Sequence, residues 1–95
     1  QSELFLAGVA AYELGDLEIA FIYLGQVIQI NQELNEQYFN DEAEYYLSLS
    51  LLKSKKYNEA TTLIEKINSD KNHGYFGIFT NSDILKLKVL IRIKN

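Results

Sequence analysis

The sequence predicts an all-α domain built from two helical hairpins and a final helix. Apolar residues recur at helical spacing, as in Leu4, Ala7 and Ala11, and no segment alternates between apolar and polar residues as a strand would. A Gly-Asp pair at residues 15–16 interrupts the first helical stretch, and a related interruption follows 40 residues later. Paired helices that recur at a fixed offset indicate a repeat architecture. The length of 95 residues fits a single domain, residues 1–95.

The first hairpin is predicted to span residues 3–30. Gly15 reaches the left-handed backbone conformation that ends a helix, and the side chain of Asp16 caps the helix that follows. We therefore expect helices at 3–14 and 17–30. The polar stretch 31–40 is expected to be a connection or a frayed extension of the second helix.

The second hairpin is predicted to span residues 41–68. Acidic residues open its first helix, 41–54, and lysines close it, which complements the helix dipole at both ends. Its second helix, 57–68, carries Ala60, Ile64 and Ile67 on one face.

A capping segment at residues 80–94 is predicted to cover the end of the second hairpin. Residues 69–77 form a loop, and the run from Thr80 to Asp83 offers a capping box before a helix at 84–93. Loop residues are expected to fold back onto the stack, namely Tyr75, Phe76, Ile78 and Phe79. The helix is expected to cover the hairpin with Ile84, Leu85, Leu87 and Leu90 or Ile91, while Lys86, Arg92 and Lys94 stay solvated.

The internal repeat aligns Gly15–Ala20 with Lys55–Ala60, an offset of 40 residues. Carried through the chain, this offset pairs Gly8 with Ser48 and Ala20 with Ala60. Small residues at these positions let the two helices of a hairpin approach closely. Both segments are therefore interpreted as equivalent elbows.

The repeated residues resemble the tetratricopeptide repeat (TPR) family. The resemblance covers residues 3–68, although Lys55-Lys56 replaces the family's usual Gly-Asp, Gln32 stands where a Pro is usual, and the offset exceeds the family's unit of about 34 residues. It implies a right-handed superhelical stack of two hairpins with a C-terminal capping helix. Residues from Asp41 onward also look like the C-terminal end of bacterial repeat proteins. The matching residues are Leu4, Ala7, Gly8, Ala11, Tyr12, Gly15, Asp16, Leu17, Ala20, Leu24 and Val27, then Tyr45, Tyr46, Leu47, Leu51, Tyr57, Ala60, Ile64 and Ile67.

Composition narrows the classes of function. The chain has no Cys and no Pro, which excludes a disulfide framework, a thiolate metal site and a cysteine nucleophile. It also has no Met, so we expect the natural start to lie upstream of Gln1. These features leave the compartment open between cytoplasm and periplasm.

Charge argues against nucleic acid as a partner. The net charge is −4, the wrong sign for neutralising phosphates. Every Lys and Arg lies at Lys53 or later, and the preceding half carries only acidic charges. One interpretation is an ordinary solvated surface, and the other is an acidic surface that steers a basic partner or favours head-to-tail association. Charged residues interrupt the apolar stretch 4–30, so no direct membrane insertion is expected.

The family resemblance implies a concave groove lined by the first helix of each hairpin. Aromatic residues in such a groove supply the large contact areas of binding hot spots, and the expected partner is another protein or a peptide. Alternatively, several of these tyrosines only pack between the hairpins. The first repeat has no basic residue in the groove, so a clamp for a terminal carboxylate is not expected. Mapped onto this sequence, the groove residues are Phe5, Val9, Tyr12, Glu13, Tyr45, Tyr46, Leu49, Leu52 and Lys53.

The second helix is apolar on almost every side, which is typical of a helix buried all round. Family spacing places Ile19, Ile22 and Tyr23 on its outer side. We therefore expect a homo-oligomer, an upstream segment or a partner to cover this face. The alternative is that these are isolated surface apolar residues of the ordinary kind.

No residue pattern indicates catalysis, a cofactor or a metal. His73 is the single histidine, in a loop with only Asp70 nearby, and Glu42 and Glu44 are expected at an exposed helix end. The segment 74–77 lacks the lysine of a phosphate loop. The sequence thus predicts a non-enzymatic interaction scaffold. The alternative is a structural, dimerisation or spacer domain of a longer bacterial protein, including one associated with a membrane.

Overall fold

The computed structural model describes residues 2–94, with the side chains of residues 2–93. These residues form five α-helices and no strand, which confirms the all-α prediction. The helices are α1 (Ser2–Leu14), α2 (Leu17–Leu34), α3 (Asn40–Lys53), α4 (Tyr57–Ser69) and α5 (Asn81–Lys94). Each helix packs on the next one in the chain, and α1 also contacts α3.

A tight elbow joins α1 to α2. Gly15 has a φ of 82°, in the left-handed region that glycine reaches without steric cost. Its N–H donates to the carbonyl of Tyr12, and the N–H of Asp16 donates to the carbonyl of Ala11 at 2.8 Å. The side chain of Asp16 accepts from the N–H of Ile19 at 3.4 Å and caps α2. Both helix ends lie where the sequence predicted them.

The elbow between α3 and α4 repeats this geometry with different residues. Lys55 stands in the left-handed region at φ 61°, and its N–H donates to the carbonyl of Leu52. The N–H of Lys56 donates to the carbonyl of Leu51 at 2.9 Å. The backbone of Lys56, at φ −87° and ψ 68°, matches that of Asp16 at φ −85° and ψ 78°. The two elbows are equivalent, although Lys56 supplies no capping side chain.

Burial follows the 40-residue offset through the interior of both hairpins. Leu24 and its equivalent Ile64 are fully buried, and so are Val27 and Ile67. Leu14 lies at helical spacing from Leu4, Ala7 and Ala11 in the sequence, but its side chain is 84% exposed. It is the last residue of α1.

Small residues allow the helices of each hairpin to approach closely. A Cβ atom at Gly8 would lie 2.8 Å from Cγ of Leu24, so only glycine fits there without displacement. Ser48, the equivalent of Gly8, is fully buried, as are Ala20 and Ala60.

The linker between the hairpins is short because α2 continues to Leu34. Asn31, expected in a connection or a frayed extension of the second helix, lies in an extension of α2 and is buried there. Its side-chain amide donates to the carbonyl of Tyr38 at 2.9 Å and to Oδ1 of Asn40 at 3.1 Å. These bonds hold the linker against α2.

The predicted capping box opens α5. Oγ1 of Thr80 accepts from the N–H of Asp83 at 3.1 Å, and the N–H of Thr80 donates to Oδ2 of Asp83 at 2.9 Å. Two hydrogen bonds with Thr80 lower the pKa of Asp83 below its usual value. The bond from the backbone N–H of Thr80 has the larger effect, and the bond with its hydroxyl has the smaller one.

Only one side of α5 covers the second hairpin. Leu87 is buried in a cluster with Leu51, Ala60 and Ile64, and Ile84 packs against this cluster. Leu85 is 64% exposed, because it lies two residues before Leu87 and therefore roughly 200° around the helix. The sequence did not decide whether Leu90 or Ile91 covers the hairpin. In the structure Leu90 is exposed and Ile91 is half-buried.

The loop before α5 folds back in part. Tyr75 and Phe79 are half-buried, as predicted, whereas Phe76 and Ile78 are each about half exposed. Lys86 and Arg92 are exposed as predicted, and the side chain of Lys94 lies outside the described residues.

Candidate functional site

The structure brings together the four aromatic residues predicted on α1 and α3. The ring of Tyr46 meets the rings of Phe5 and Tyr12 edge-on, at centroid distances of 6.2 and 5.7 Å. Tyr45 also meets Tyr46 edge-on, at 5.4 Å. Phe5 is buried, and the three tyrosines are half-buried. The tyrosines therefore pack between the hairpins and still remain partly exposed.

Three further aromatic residues extend this cluster. Phe39 stacks on Phe5 at 5.0 Å, and Tyr75 stacks on Tyr45 at 4.2 Å. Phe79 contacts Tyr45 at 6.0 Å. The sequence had assigned Tyr75 and Phe79 to the capping loop, and Phe39 was missed because helical periodicity does not locate a linker residue. We call the whole set the aromatic surface, formed by Phe5, Tyr12, Phe39, Tyr45, Tyr46, Tyr75 and Phe79.

The hydroxyl groups of the aromatic surface remain available. Within the described residues, the hydroxyls of Tyr12, Tyr45 and Tyr46 make no hydrogen bond. Every fully buried side-chain oxygen there has a hydrogen-bond partner, so these three hydroxyls are not fully buried and reach solvent. Burial, and then the carboxylate of Glu42, raises the pKa of Tyr75 above its usual value. Each of these tyrosines presents an apolar ring together with a polar hydroxyl group.

The other predicted groove residues surround the tyrosines. Val9, Leu49 and Leu52 are half-buried, whereas Glu13 and Lys53 are exposed. The ammonium of Lys53 lies 4.5 Å from the centroid of the Tyr12 ring, within the range of a cation–π interaction.

The predicted oligomer face on α2 is less open than expected. Ile22 is 50% exposed, but Tyr23 is half-buried and Ile19 packs against the core of the first hairpin. A single large apolar side chain is therefore well exposed on this face.

A polar cluster that the sequence did not predict holds the loop before α5. Glu44 was expected at an exposed helix end, but it is only 2% exposed, because its position in α3 faces α4 and the loop. Nε2 of His73 lies 3.0 Å from Oε1 of Glu44 and 3.4 Å from Oδ1 of Asp41. Lys66 pairs with the other oxygen of Glu44. Glu44 and His73 are 29 positions apart in the sequence, so no local spacing could reveal this contact.

Asp41, Glu44 and His73 could together offer three ligand atoms to a metal, all within 4.8 Å of one another. The hydrogen bonds of the imidazole oppose this use. The N–H of Tyr75 donates to Nδ1 of His73 at 3.0 Å, so the ring proton lies on Nε2 and points at Glu44. A metal-binding histidine instead donates from its second nitrogen. The ammonium of Lys66 further opposes a cation at Glu44, and the cluster is best described as a hydrogen-bonded lock on the loop.

A polar cleft of about 580 Å³ lies beside this lock. Amides and carboxylates dominate its walls, and every buried side-chain polar atom of the described residues has a partner. The cleft therefore presents no buried unsatisfied side-chain group that would select a ligand. Its lining residues are Asn31, Gln32, Asn35, Glu36, Gln37, Asn40, Asp41, Glu44, Lys66, Ser69, Asp70 and His73.

Comparison with known proteins gave no match, whether to a family model, a curated protein or a solved structure. Among residues 2–94, no helix combines the length and apolar character needed to cross a membrane.

Proposed function

We propose that this chain is an interaction scaffold that binds a partner protein or peptide across the aromatic surface. We further propose that its hairpins stack in the right-handed superhelical manner of the TPR family. The observation that carries the proposal is the continuous contact of seven aromatic rings from both hairpins, the linker and the loop, with the hydroxyls of Tyr12, Tyr45 and Tyr46 reaching solvent. Large, rigid rings with a polar end are the side chains that dominate binding hot spots.

The packing of the rings on one another supports this role. Tyr46 is held by three neighbouring rings, and Tyr45 is fixed by the stacked ring of Tyr75. Side chains that are already ordered lose little conformational entropy when a partner binds. The aromatic surface is thus prepared for contact before the partner arrives.

Charge favours a partner segment with Lys or Arg. Residues before Lys53 carry acidic groups and no basic group, so they attract a basic chain. The ammonium of Lys53 over the Tyr12 ring indicates that these ring faces accept a cation. No catalytic step, cofactor or metal is part of this proposal.

Selection from a random peptide display library tests the proposal. We expect enriched peptides to combine basic and apolar residues, and Tyr12→Ala or Tyr45→Ala to weaken their binding by roughly 30-fold, the loss of a typical hot spot. Tyr45→Phe keeps the stack on Tyr75 and isolates the contribution of the hydroxyl.

Tyr38→Ala is the matched control, because Tyr38 is 61% exposed and lies outside the aromatic surface. Circular dichroism verifies that each variant keeps its helices. Peptides that bind the alanine variants of Tyr12 and Tyr45 as tightly as the parent chain would contradict the proposal and favour the spacer alternative.

A further inference from the structure

The outer side of α5 carries an apolar stripe that no described residue covers. Leu85, Val89 and Ile93 follow one another at intervals of four residues and are 64%, 48% and 75% exposed. Leu90 adjoins them, and an apolar depression of about 420 Å³ is lined by Leu85, Lys86, Val89 and Leu90. The opposite side of the same helix holds the buried Leu87.

A second stripe with the same spacing lies on α1. Leu6, Ala10 and Leu14 are also four residues apart and exposed, Leu6 at 62% and Leu14 at 84%. Helix α1 packs on α2 and α3, helix α5 packs on α4, and the two do not contact each other. The stripes therefore belong to opposite ends of the chain of packed helices.

We propose that this chain associates head to tail, with the α5 stripe of one copy docked on the α1 stripe of the next. Both stripes repeat every fourth residue over three positions, so their apolar residues meet in register along two packed helices. This surface is separate from the aromatic surface, and the proposal does not depend on partner binding there.

Charge selects this pairing over symmetric ones. Helix α1 carries Glu3 and Glu13 and no basic residue, whereas α5 carries four basic residues and one acidic residue. Two α5 helices would repel each other, as would two α1 helices. When the stripes are in register, Glu13 stands level along the helix axis with Lys86 if the helices run antiparallel and with Arg92 if they run parallel.

The pairing joins two different surfaces, so each complex leaves one free α1 stripe and one free α5 stripe. Such a heterologous interface continues to add copies as concentration rises. Two stripes of three residues make a contact at the small end of protein interfaces, which implies weak association.

Sedimentation velocity of the 95-residue chain, from micromolar to millimolar concentration, tests the proposal. We expect the average mass to rise with concentration and the association to weaken as salt is added. Leu6→Lys blocks the α1 stripe and Leu85→Glu blocks the α5 stripe, and each variant alone should remain monomeric. An equimolar mixture of the two should form a one-to-one complex, because one free stripe of each kind remains.

The variants and their mixture distinguish this interface from a symmetric contact and from a contact on α2. If the Leu6→Lys variant still self-associates through α5, the interface is symmetric and the proposal is wrong. If Ile22→Glu, the control on α2, abolishes association while Leu85→Glu does not, the contact lies on α2. A parent chain that stays monomeric at millimolar concentration, or a mixture that forms no complex, would also overturn it.

Discussion

In the first hairpin, Leu4 packs on the apolar core of α1 and α2, whereas the equivalent position 40 residues later holds the buried carboxylate of Glu44. The second hairpin also buries hydroxyls, with Ser48 and Ser50 each donating to the carbonyl four residues earlier. The elbows are nonetheless the same. The turn and the small residues at the helix crossing therefore determine the hairpin, while its interior accepts polar groups whose hydrogen bonds are satisfied.

The largest effect is expected from breaking the polar interior of the second hairpin. Glu44→Ala should lower the free energy of unfolding by about 3 kcal/mol, because it leaves the Nε2–H of His73 without its main acceptor and opens a cavity. Glu44→Leu, which imitates Leu4, should lose less because it fills the space. Urea denaturation measures both values.

Glu65→Ala is the control for this loss, because Glu65 is an exposed residue of α4. Its free energy of unfolding should stay within about 0.5 kcal/mol of the parent value. Equal losses at Glu44 and Glu65 would mean that the buried lock does not stabilise the second hairpin.

The next largest change in stability is expected from variants that test the close crossing of α1 and α2 in the first hairpin. Gly8→Ala should lower the free energy of unfolding by roughly 1–2 kcal/mol, because the new Cβ would press on the buried Leu24. Gly25→Ala, where a Cβ meets no atom within 4 Å, should instead raise it by about 0.5–1 kcal/mol. Thermal unfolding compares the two alanine variants directly. Stabilisation by both would show that the helices do not need glycine at position 8.

The smallest change in the free energy of unfolding is expected from variants that test whether the two elbows are equivalent. Lys55→Gly gives the second elbow the residue type of the first, and should raise the free energy of unfolding by about 0.5–1 kcal/mol, because it relieves a left-handed lysine. Lys56→Gly should give no gain, because φ is −87° there. If chemical denaturation shows the same change for both variants, the elbows differ in a way that the backbone angles do not reveal.

The sequence was sufficient for what is encoded locally. Helical spacing, the Gly15-Asp16 break and the Thr80 capping box located the helices, because each signal lies within a few residues of its effect. The burial of Glu44 and its contact with His73 could not be predicted, since they arise when distant segments pack. The exposed side of α5 was also misjudged, because apolar residues surround that helix and only tertiary contact with α4 selects Leu87 over Leu85.

The stacked rings of Tyr45 and Tyr75 have a spectroscopic consequence. Their planes differ by 3° at a separation of 4.2 Å, close enough for the electronic transitions of the two phenols to couple. The chain contains no tryptophan to obscure them. Near-ultraviolet circular dichroism of the unlabelled protein should therefore report when the loop leaves α3, separately from the far-ultraviolet signal of the helices.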